Sequence, residues 1–318
     1  MSIMLVLNTT KAVADAAAHV RINHDAIAAW AGSLTSTTLV PSGHELIEHI
    51  PGTREQIANF TLLLDALNFC FWSPNPIRIQ WRGRTYERFS AMMVSLILAA
   101  KSDARWFDPE FWMVVSREEI RQVLSGNGEL LLMDEREKVI RETGRVLVDR
   151  FDGSFAAAVA SVGEKAWPLA VLLMTNFDSF RDVSNHRGKP VYFMKRAQIC
   201  ALDLSAAWEC KGHGALEGLG ELTAFADYRV PQALRHLDIL QYSSELEAAI
   251  EAEKELAADS EAEIEIRAAT IHAVDLMVKA ANKAGRRATA WQVDWYLWGL
   301  SHDASVSVKH HRTRTVYY

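Results

Sequence analysis

An all-α fold carrying one small β-hairpin follows from three features of this sequence. Apolar residues recur at helical spacing through most of the chain, and only one stretch alternates apolar with polar residues. The 318 residues are 49% hydrophobic, enough to bury a substantial core. No internal repeat, low-complexity linker or break in composition divides the chain, so residues 1–318 are expected to form one domain.

Residues 8–31 carry Ala and Val at helical spacing and predict a first helix, followed by a loop over 32–43. His44 and His49 border the next segment, and His49 stands just before the Pro51-Gly52 turn. Residues 57–67 predict an apolar helix interrupted by Asp65; it runs into Asn68-Phe69-Cys70-Phe71-Trp72 and stops at Ser73-Pro74-Asn75-Pro76. So many aromatics beside an amide suit either core packing or a pocket wall. IRIQWRGRTY at 77–86 alternates across Gly83 and reads as the hairpin, expected at the periphery.

Helical spacing returns at 90–100, 120–132 and 136–151; Gly153-Ser154 then closes one helix and caps the next. Residues 167–174 are apolar enough for a buried helix. VYFMKRAQICALD at 191–203 enters a further helix, with Lys195 and Arg196 interrupting an apolar run. Lys195 reads either as a surface lysine whose stem covers apolar atoms or as a pocket cation. The Glu-rich stretch 244–265 predicts a solvated acidic helix, with Ile264, Ala268, Ile271, Val274 and Val278 on one face of its successor.

The chain is organised around residues 216–242, LEGLGELTAFADYRVPQALRHLDILQY. Gly218 and Gly220 flank Leu219, which suits a tight turn between helices with the backbone at positive φ. Val230, Ala233, Leu234, Leu237 and Leu240 share one helical face, with Pro231 in the first turn. Asp227 stands at that helix start, where a carboxylate caps free backbone N–H groups or faces a pocket. Near the C-terminus, WQVDWYLWGL at 291–300 encloses Asp294 among four aromatics. A carboxylate buried there costs free energy unless it is hydrogen-bonded, paired or used in chemistry, and we read it as functional.

A formal charge of −6 argues against a protein that wraps a nucleic-acid backbone. The three cysteines show no CxxC spacing, so neither a disulfide framework nor a zinc ribbon is expected, and a reducing cytoplasm fits best. No uncharged apolar run reaches 18 residues, so no membrane span is expected. Walker, GxGxxG, HExxH, GxSxG and EF-hand patterns are all missing, and neither a metal nor a cofactor is expected. What remains is a pocket with carboxylate chemistry. A glycine-rich hairpin followed by an aspartate resembles the helix-hairpin-helix DNA glycosylases, where a carboxylate faces the oxocarbenium-like sugar as the base departs.

A more extensive resemblance comes from five blocks in order: NFCFW at 68, KRAQI at 195, FADYRVPQ at 225, VDWYLW at 293 and HRTRTVYY at 311. Together these resemble the queuosine salvage protein family, the queuosine 5′-phosphate N-glycosylases. The resemblance implies an all-helical fold related to the helix-hairpin-helix glycosylases and a cofactor-free hydrolysis of queuosine 5′-monophosphate. Queuine would be released for salvage into tRNA modification. It also implies Asp294 as the catalytic aspartate, with Phe225 and Asp227 holding the base. The family places a histidine in the N-terminal part of the pocket; His49 is the nearest candidate and His44 the competitor. Trp295 replaces a tyrosine usual beside the catalytic aspartate, and Gly299 stands where relatives can carry another acidic base contact.

Asn68 and Trp72 are the pocket candidates of the first block. Lys195, Arg312 and Arg314 are the cluster available for the 5′-phosphate, since Arg in particular offers paired donors. The expected partner is this small molecule, bound by a monomer with no stable nucleic-acid partner and no membrane. The alternatives are a DNA glycosylase or a nonenzymatic nucleic-acid-binding module. The module would need a basic hairpin face, whereas residues 216–227 contain Glu217, Glu221 and Asp227 and no Lys or Arg; the DNA glycosylase would need a basic groove and salt-sensitive duplex binding.

Overall fold

The computed structural model describes residues 2–35, 38, 39, 44–124 and 126–318. Helix α1 (Met4–Asp15) leads to strand β1 (Val20–Ile22) and helix α2 (His24–Ser33). One helix was expected over 8–31; Asn23 divides it, accepting from the Asp25 and Ala26 amides and so capping α2. Of the expected loop at 32–43, residues 32 and 33 complete α2, and residues 36, 37 and 40–43 lie outside the described residues. A 3₁₀ turn (His44–His49) precedes α3 (Arg54–Ala66), whose start is fixed by a Thr53–Gln56 capping box. Every residue of α3 from Ile57 to Ala66 is buried.

The predicted hairpin is β2 (Arg78–Trp81) with β3 (Arg84–Glu87), in register Ile79 opposite Tyr86. Helices α4 (Arg88–Ser102), α5 (Pro109–Val114), α6 (Arg117–Leu124) and α7 (Met133–Phe151) follow. Helix α6 ends at Leu124, earlier than the periodicity suggested, because Gly126 and Gly128 take positive φ and Gly128 lies against the Pro76 carbonyl. Then come α8 (Phe155–Ser161), α9 (Ala166–Asn176), the strands β4 (Val183–His186) and β5 (Lys189–Tyr192), and α10 (Lys195–Glu209).

Helix α11 (Arg229–His236), strand β6 (Leu240–Tyr242), α12 (Ser244–Glu251), α13 (Glu261–Lys283) and α14 (Ala290–Leu300) complete the chain. Strand β6 pairs antiparallel with β1, tying residue 242 to residue 20. The acidic stretch is not one solvated helix. It breaks between α12 and α13, and Glu263 and Glu265 are buried. Glu265 accepts from the Ala18 and His19 amides, anchoring the turn before β1 to α13.

The architecture is mainly helical with small antiparallel strand pairs. Helix α10 packs on α3 and α9, and α13 runs along α1 and α2 with α14 at its side. Between α10 and α11 the chain passes through Gly218 (φ +77), a 3₁₀ turn (Leu219–Glu221) and an irregular segment, 222–228. Gly220 stays out of the positive-φ region, so one glycine rather than two makes the turn. Among the described residues no helix is long and apolar enough to cross a membrane.

Candidate active site

The N-terminus of α10, the segment 222–229, α14 and the end of β3 meet around a cavity of about 420 Å³. Small-molecule sites span roughly 300–1,000 Å³. Asp294 is buried in its wall and accepts from the Phe225 amide at 2.8 Å, so α14 and the segment before α11 are locked together at the carboxylate. Burial pushes the Asp294 carboxyl well above the usual range and the Asp227 charge adds to this, while the Phe225 amide and Lys195 oppose it.

Asp227 both caps a helix and faces the cavity, so the two roles considered for it are compatible. Its Oδ1 accepts from the Arg229 and Val230 amides at 2.7 and 2.9 Å, which starts α11. Lys195 lies at the first turn of α10, 4% exposed, and its Nζ is 3.5 Å from the Asn68 carbonyl oxygen. Burial pulls its ammonium below the usual lysine range; the charges of Asp227, Asp65 and Asp294 pull the other way. The surface reading of Lys195 is thereby excluded.

Met194, directly before Lys195, takes φ +56, a conformation that a non-glycine residue adopts at some cost. Asp182 holds it there: its backbone carbonyl accepts from the Phe193 amide at 3.0 Å and its Oδ2 from the Lys195 amide at 3.0 Å.

At another part of the cavity stand Arg88, Arg229 and His302. Arg229 is lowered by burial and by the neighbouring Arg88, against the influence of Tyr228 and Asp227. The Arg88 Nε is buried without a hydrogen-bond partner. The Arg88 Nη1 donates to Glu87 at 3.3 Å, and its unpaired Nε beside the Arg229 guanidinium suits an anion. Charged groups of both signs therefore line one cavity: Asp227 and Asp294 act on Lys195, Asp227 acts also on Arg229 and His302, and Glu87 accepts from Arg88.

Of the residues expected from the sequence, Asp294, Phe225, Asp227, Trp295, Lys195 and Asn68 line the cavity. Four others do not. His49 points to the hairpin, its Nε2 3.1 Å from Arg82 and its ring edge-on to Trp81, while Leu46 and Ile47 of the same turn face the cavity. The His44 side chain lies outside the described residues. Trp72 donates its Nε1–H to the Thr313 carbonyl and packs beneath the Arg312 and Arg314 guanidinium groups. Those arginines pair outward with Glu253 and Glu255, so this cluster clasps the C-terminal tail instead of holding an anion in the cavity. The tail's contribution is Tyr318, whose hydroxyl donates to Glu263 at 2.7 Å. At Gly299 an added Cβ would meet nothing within 4 Å.

Sequence reasoning missed Arg88, Arg229, His302, Tyr318 and Asp203, and it placed the hairpin at the periphery although Thr85, Tyr86 and Glu87 line the cavity. Asp203 left a signal: Lys195, Ile199 and Asp203 are four apart and share a helix face. Among the described residues one group could hold a metal ion: His186, Glu261 and Glu265. None of the three lines the cavity, Glu261 is held by Arg187 at 2.6 Å, and Glu265 is engaged by backbone amides.

Residues 48–318 match the family model described as queuosine salvage protein. The chain belongs to the queuosine salvage protein family. It is similar to the queuosine 5′-phosphate N-glycosylase/hydrolase of Sphaerobacter thermophilus, with 40% identity over 98% of this chain and 97% of the relative. The same description attaches to a Dictyostelium discoideum relative, 34% identical over 99% and 98%, and to one from Bos taurus, 31% identical over 84% and 83%. In this family member every cavity residue except Leu46 and Ile47 falls inside the matched region, between Asn68 and Tyr318.

Proposed function

We propose that this protein hydrolyses the N-glycosidic bond of queuosine 5′-monophosphate and releases queuine. The observation that carries the reading is one cavity that offers carboxyl groups to a base with a cationic arm and arginines to a phosphate. Queuine is a 7-deazaguanine, so the ring position that ordinary purine hydrolases protonate is a carbon. The leaving base is then stabilised through its other edges.

In this reading Phe225 stacks on the base, Asn68 and Trp295 bound it, and Asp227 accepts from its edge or its amine arm. Asp294, ionised, faces the ribose as positive charge develops at C1′ and directs a water to that carbon. The Phe225 amide fixes its orientation, so little reorganisation accompanies the reaction. Lys195 holds the neighbouring carboxylates in place. Arg88 and Arg229 take the 5′-phosphate, a role that Arg312 and Arg314, paired elsewhere, leave open. The same reading relates α10, the Gly218 turn and α11 to the helix-hairpin-helix arrangement, and treats the protein as a cofactor-free monomer in the cytoplasm.

The test is direct. Purified protein is incubated with queuosine 5′-monophosphate and the products are followed by mass spectrometry. Queuine and ribose 5-phosphate in equal amounts support the reading, and an unchanged nucleotide overturns it.

A further inference from the structure

Four carboxyl side chains line the cavity among the described residues: Glu87, Asp203, Asp227 and Asp294. Three are satisfied by the protein. Glu87 accepts from Arg78 and Arg88, Asp227 from two backbone amides, and Asp294 from the Phe225 amide. Asp203 is the exception. It is only 7% exposed and accepts no hydrogen bond from any described residue, so a buried polar group faces the cavity unpaired. A fully enclosed carboxyl, Asp65 of α3, interacts electrostatically with it, and the Asp65 Oδ2 is also without a partner.

Two carboxyl groups in one water-free place do not both ionise. Burial pushes Asp65 up to about 7, and burial with the Asp65 charge raises Asp203 well above the usual range. The titratable groups that face the pair are Lys195, Arg196 and Cys200 of α10 itself. Helix α9, packed on α10, carries none, and the 3₁₀ turn presents Leu46 and Ile47. The one cation in the cavity near Asp203, Lys195, is shared with Asp227 and Asp294. The pair therefore retains a proton at neutral pH.

We propose that Asp203 is a further substrate-contacting residue of this hydrolase, a carboxylic acid that gives a hydrogen bond to the 6-oxo oxygen of the departing 7-deazaguanine, with Asp65 as the group that keeps it protonated. This rests on the queuosine reading above. A neutral carboxyl group matches the lactam edge of such a base, donating to the oxo oxygen and accepting from the adjacent ring N–H. As the C1′–N bond breaks, its electron pair passes to the base, and the Asp203 proton shifts onto the oxo oxygen where that charge collects. The attacking water forms the C1′–O bond and gives a proton to Asp294. The base returns to its oxo form as the proton on its oxo oxygen is lost and its N–H is rebuilt through solvent; Asp294 releases its proton to solvent, and solvent reprotonates Asp203.

Three variants test this by kcat/KM for queuosine 5′-monophosphate across pH, with far-ultraviolet circular dichroism and melting curves confirming that each is folded. Asp203→Ala is expected to lose about 10²-fold or more, the scale of a positioned acid, mainly in kcat. Asp203→Asn, which keeps a donor of the same shape, retains more activity than Asp203→Ala and no longer shows the alkaline limb. Asp65→Asn removes the charge that holds the proton on Asp203, so the alkaline limb moves to lower pH. Parent-like kcat/KM in Asp203→Ala overturns the proposal, as does an alkaline limb that stays in place in both Asn variants. A parent that releases no queuine overturns the queuosine reading together with this one, whereas an active parent with indifferent variants overturns this one alone.

Discussion

Arg267 grips Asp182 with two guanidinium nitrogens, at 2.9 and 2.6 Å, with both side chains sealed from solvent. The pair joins two walls of the cavity. Arg267 also donates its Nε–H to the Ala226 carbonyl at 3.0 Å, one residue from both Phe225 and Asp227. Asp182 receives the Lys195 amide through its carboxylate. A single buried ion pair thus sets the position of the Phe225–Asp227 segment relative to the start of α10.

Asp182→Ala should therefore cost both stability and activity. It leaves the buried Arg267 with only the longer contact to Glu263 at 3.8 Å, a loss of up to about 3–5 kcal/mol for breaking such pairs. It also frees Met194 from the backbone conformation that places Lys195. Denaturant unfolding measures the first effect. Activity assayed well below the variant's melting temperature measures the second, and a variant that is destabilised yet fully active would separate the pair from the site.

Asp294→Asn should fold normally and lose most turnover, about 10²–10³-fold by analogy with losing one transition-state donor. The amide can still accept from Phe225, so the local geometry is kept. The working form of Asp294 is the carboxylate, and its ionisation is raised by burial and by Asp227. The acid limb of kcat/KM should lie well above the ordinary carboxylate range. Removing the neighbouring charge in Asp227→Asn lets Asp294 ionise more readily, so that limb should move to lower pH even as substrate binding weakens. A limb that stays fixed would show that another group controls it.

Asp65→Asn carries a stability prediction with a definite sign. Folded Asp65 holds its proton up to about 7, whereas in the unfolded chain it ionises near 3.8. Between those values the unfolded chain has already released a proton that the folded chain retains, so the contribution of Asp65 to stability falls as pH rises. The Asn variant has no such dependence. Its stability relative to the parent should increase from pH 4.5 to pH 7.5, as measured by denaturant titration. An unchanged difference would mean that Asp65 is ionised in the folded protein.

The helices were legible because their apolar periodicity is a local property. The stretch 136–151 predicted α7 to within three residues, and Asp294 stood out because its neighbours are aromatic. The division of 8–31 into two helices was less visible. It depends on β1 pairing with β6, more than 200 residues away, which no local pattern records. The same limit governs the site. Lys195, Arg312 and Arg314 were expected as one cluster, but the arginines lie over Trp72, where Glu253 and Glu255 draw them away from the cavity that Lys195 lines. Arg88 reads as the end of a hairpin and Arg229 as a helix start; only the fold brings both to the cavity. His49 and Ile47 differ by two positions in a 3₁₀ turn, and the turn's orientation decides which of them faces inward.

The phosphate site yields the prediction that most cleanly distinguishes the structural assignment from the sequence expectation. Arg88 and Arg229 line the cavity, Arg229 is lowered partly by Arg88, and the Arg88 Nε lacks a partner. An anion between them would relieve that repulsion and satisfy the donor at once. Arg312 and Arg314 already pair with Glu253 and Glu255 at 2.7 and 2.9 Å. The parent should therefore prefer queuosine 5′-monophosphate to queuosine, and the preference should fall in Arg88→Ala and Arg229→Ala. A charge-assisted hydrogen bond contributes about 1.5–3 kcal/mol, so each variant should lose roughly 10- to 150-fold of the nucleotide's advantage in kcat/KM. The nucleoside, which lacks the phosphate, should be turned over at nearly the parent rate. Part of the loss should fall on kcat, because the bound phosphate positions C1′ against Asp294 and its water. In Arg312→Ala and Arg314→Ala the ratio of nucleotide to nucleoside should remain that of the parent. If the ratio instead collapses in those tail variants and survives in Arg88→Ala, the phosphate lies with the C-terminal tail and the arginines of the cavity serve the fold.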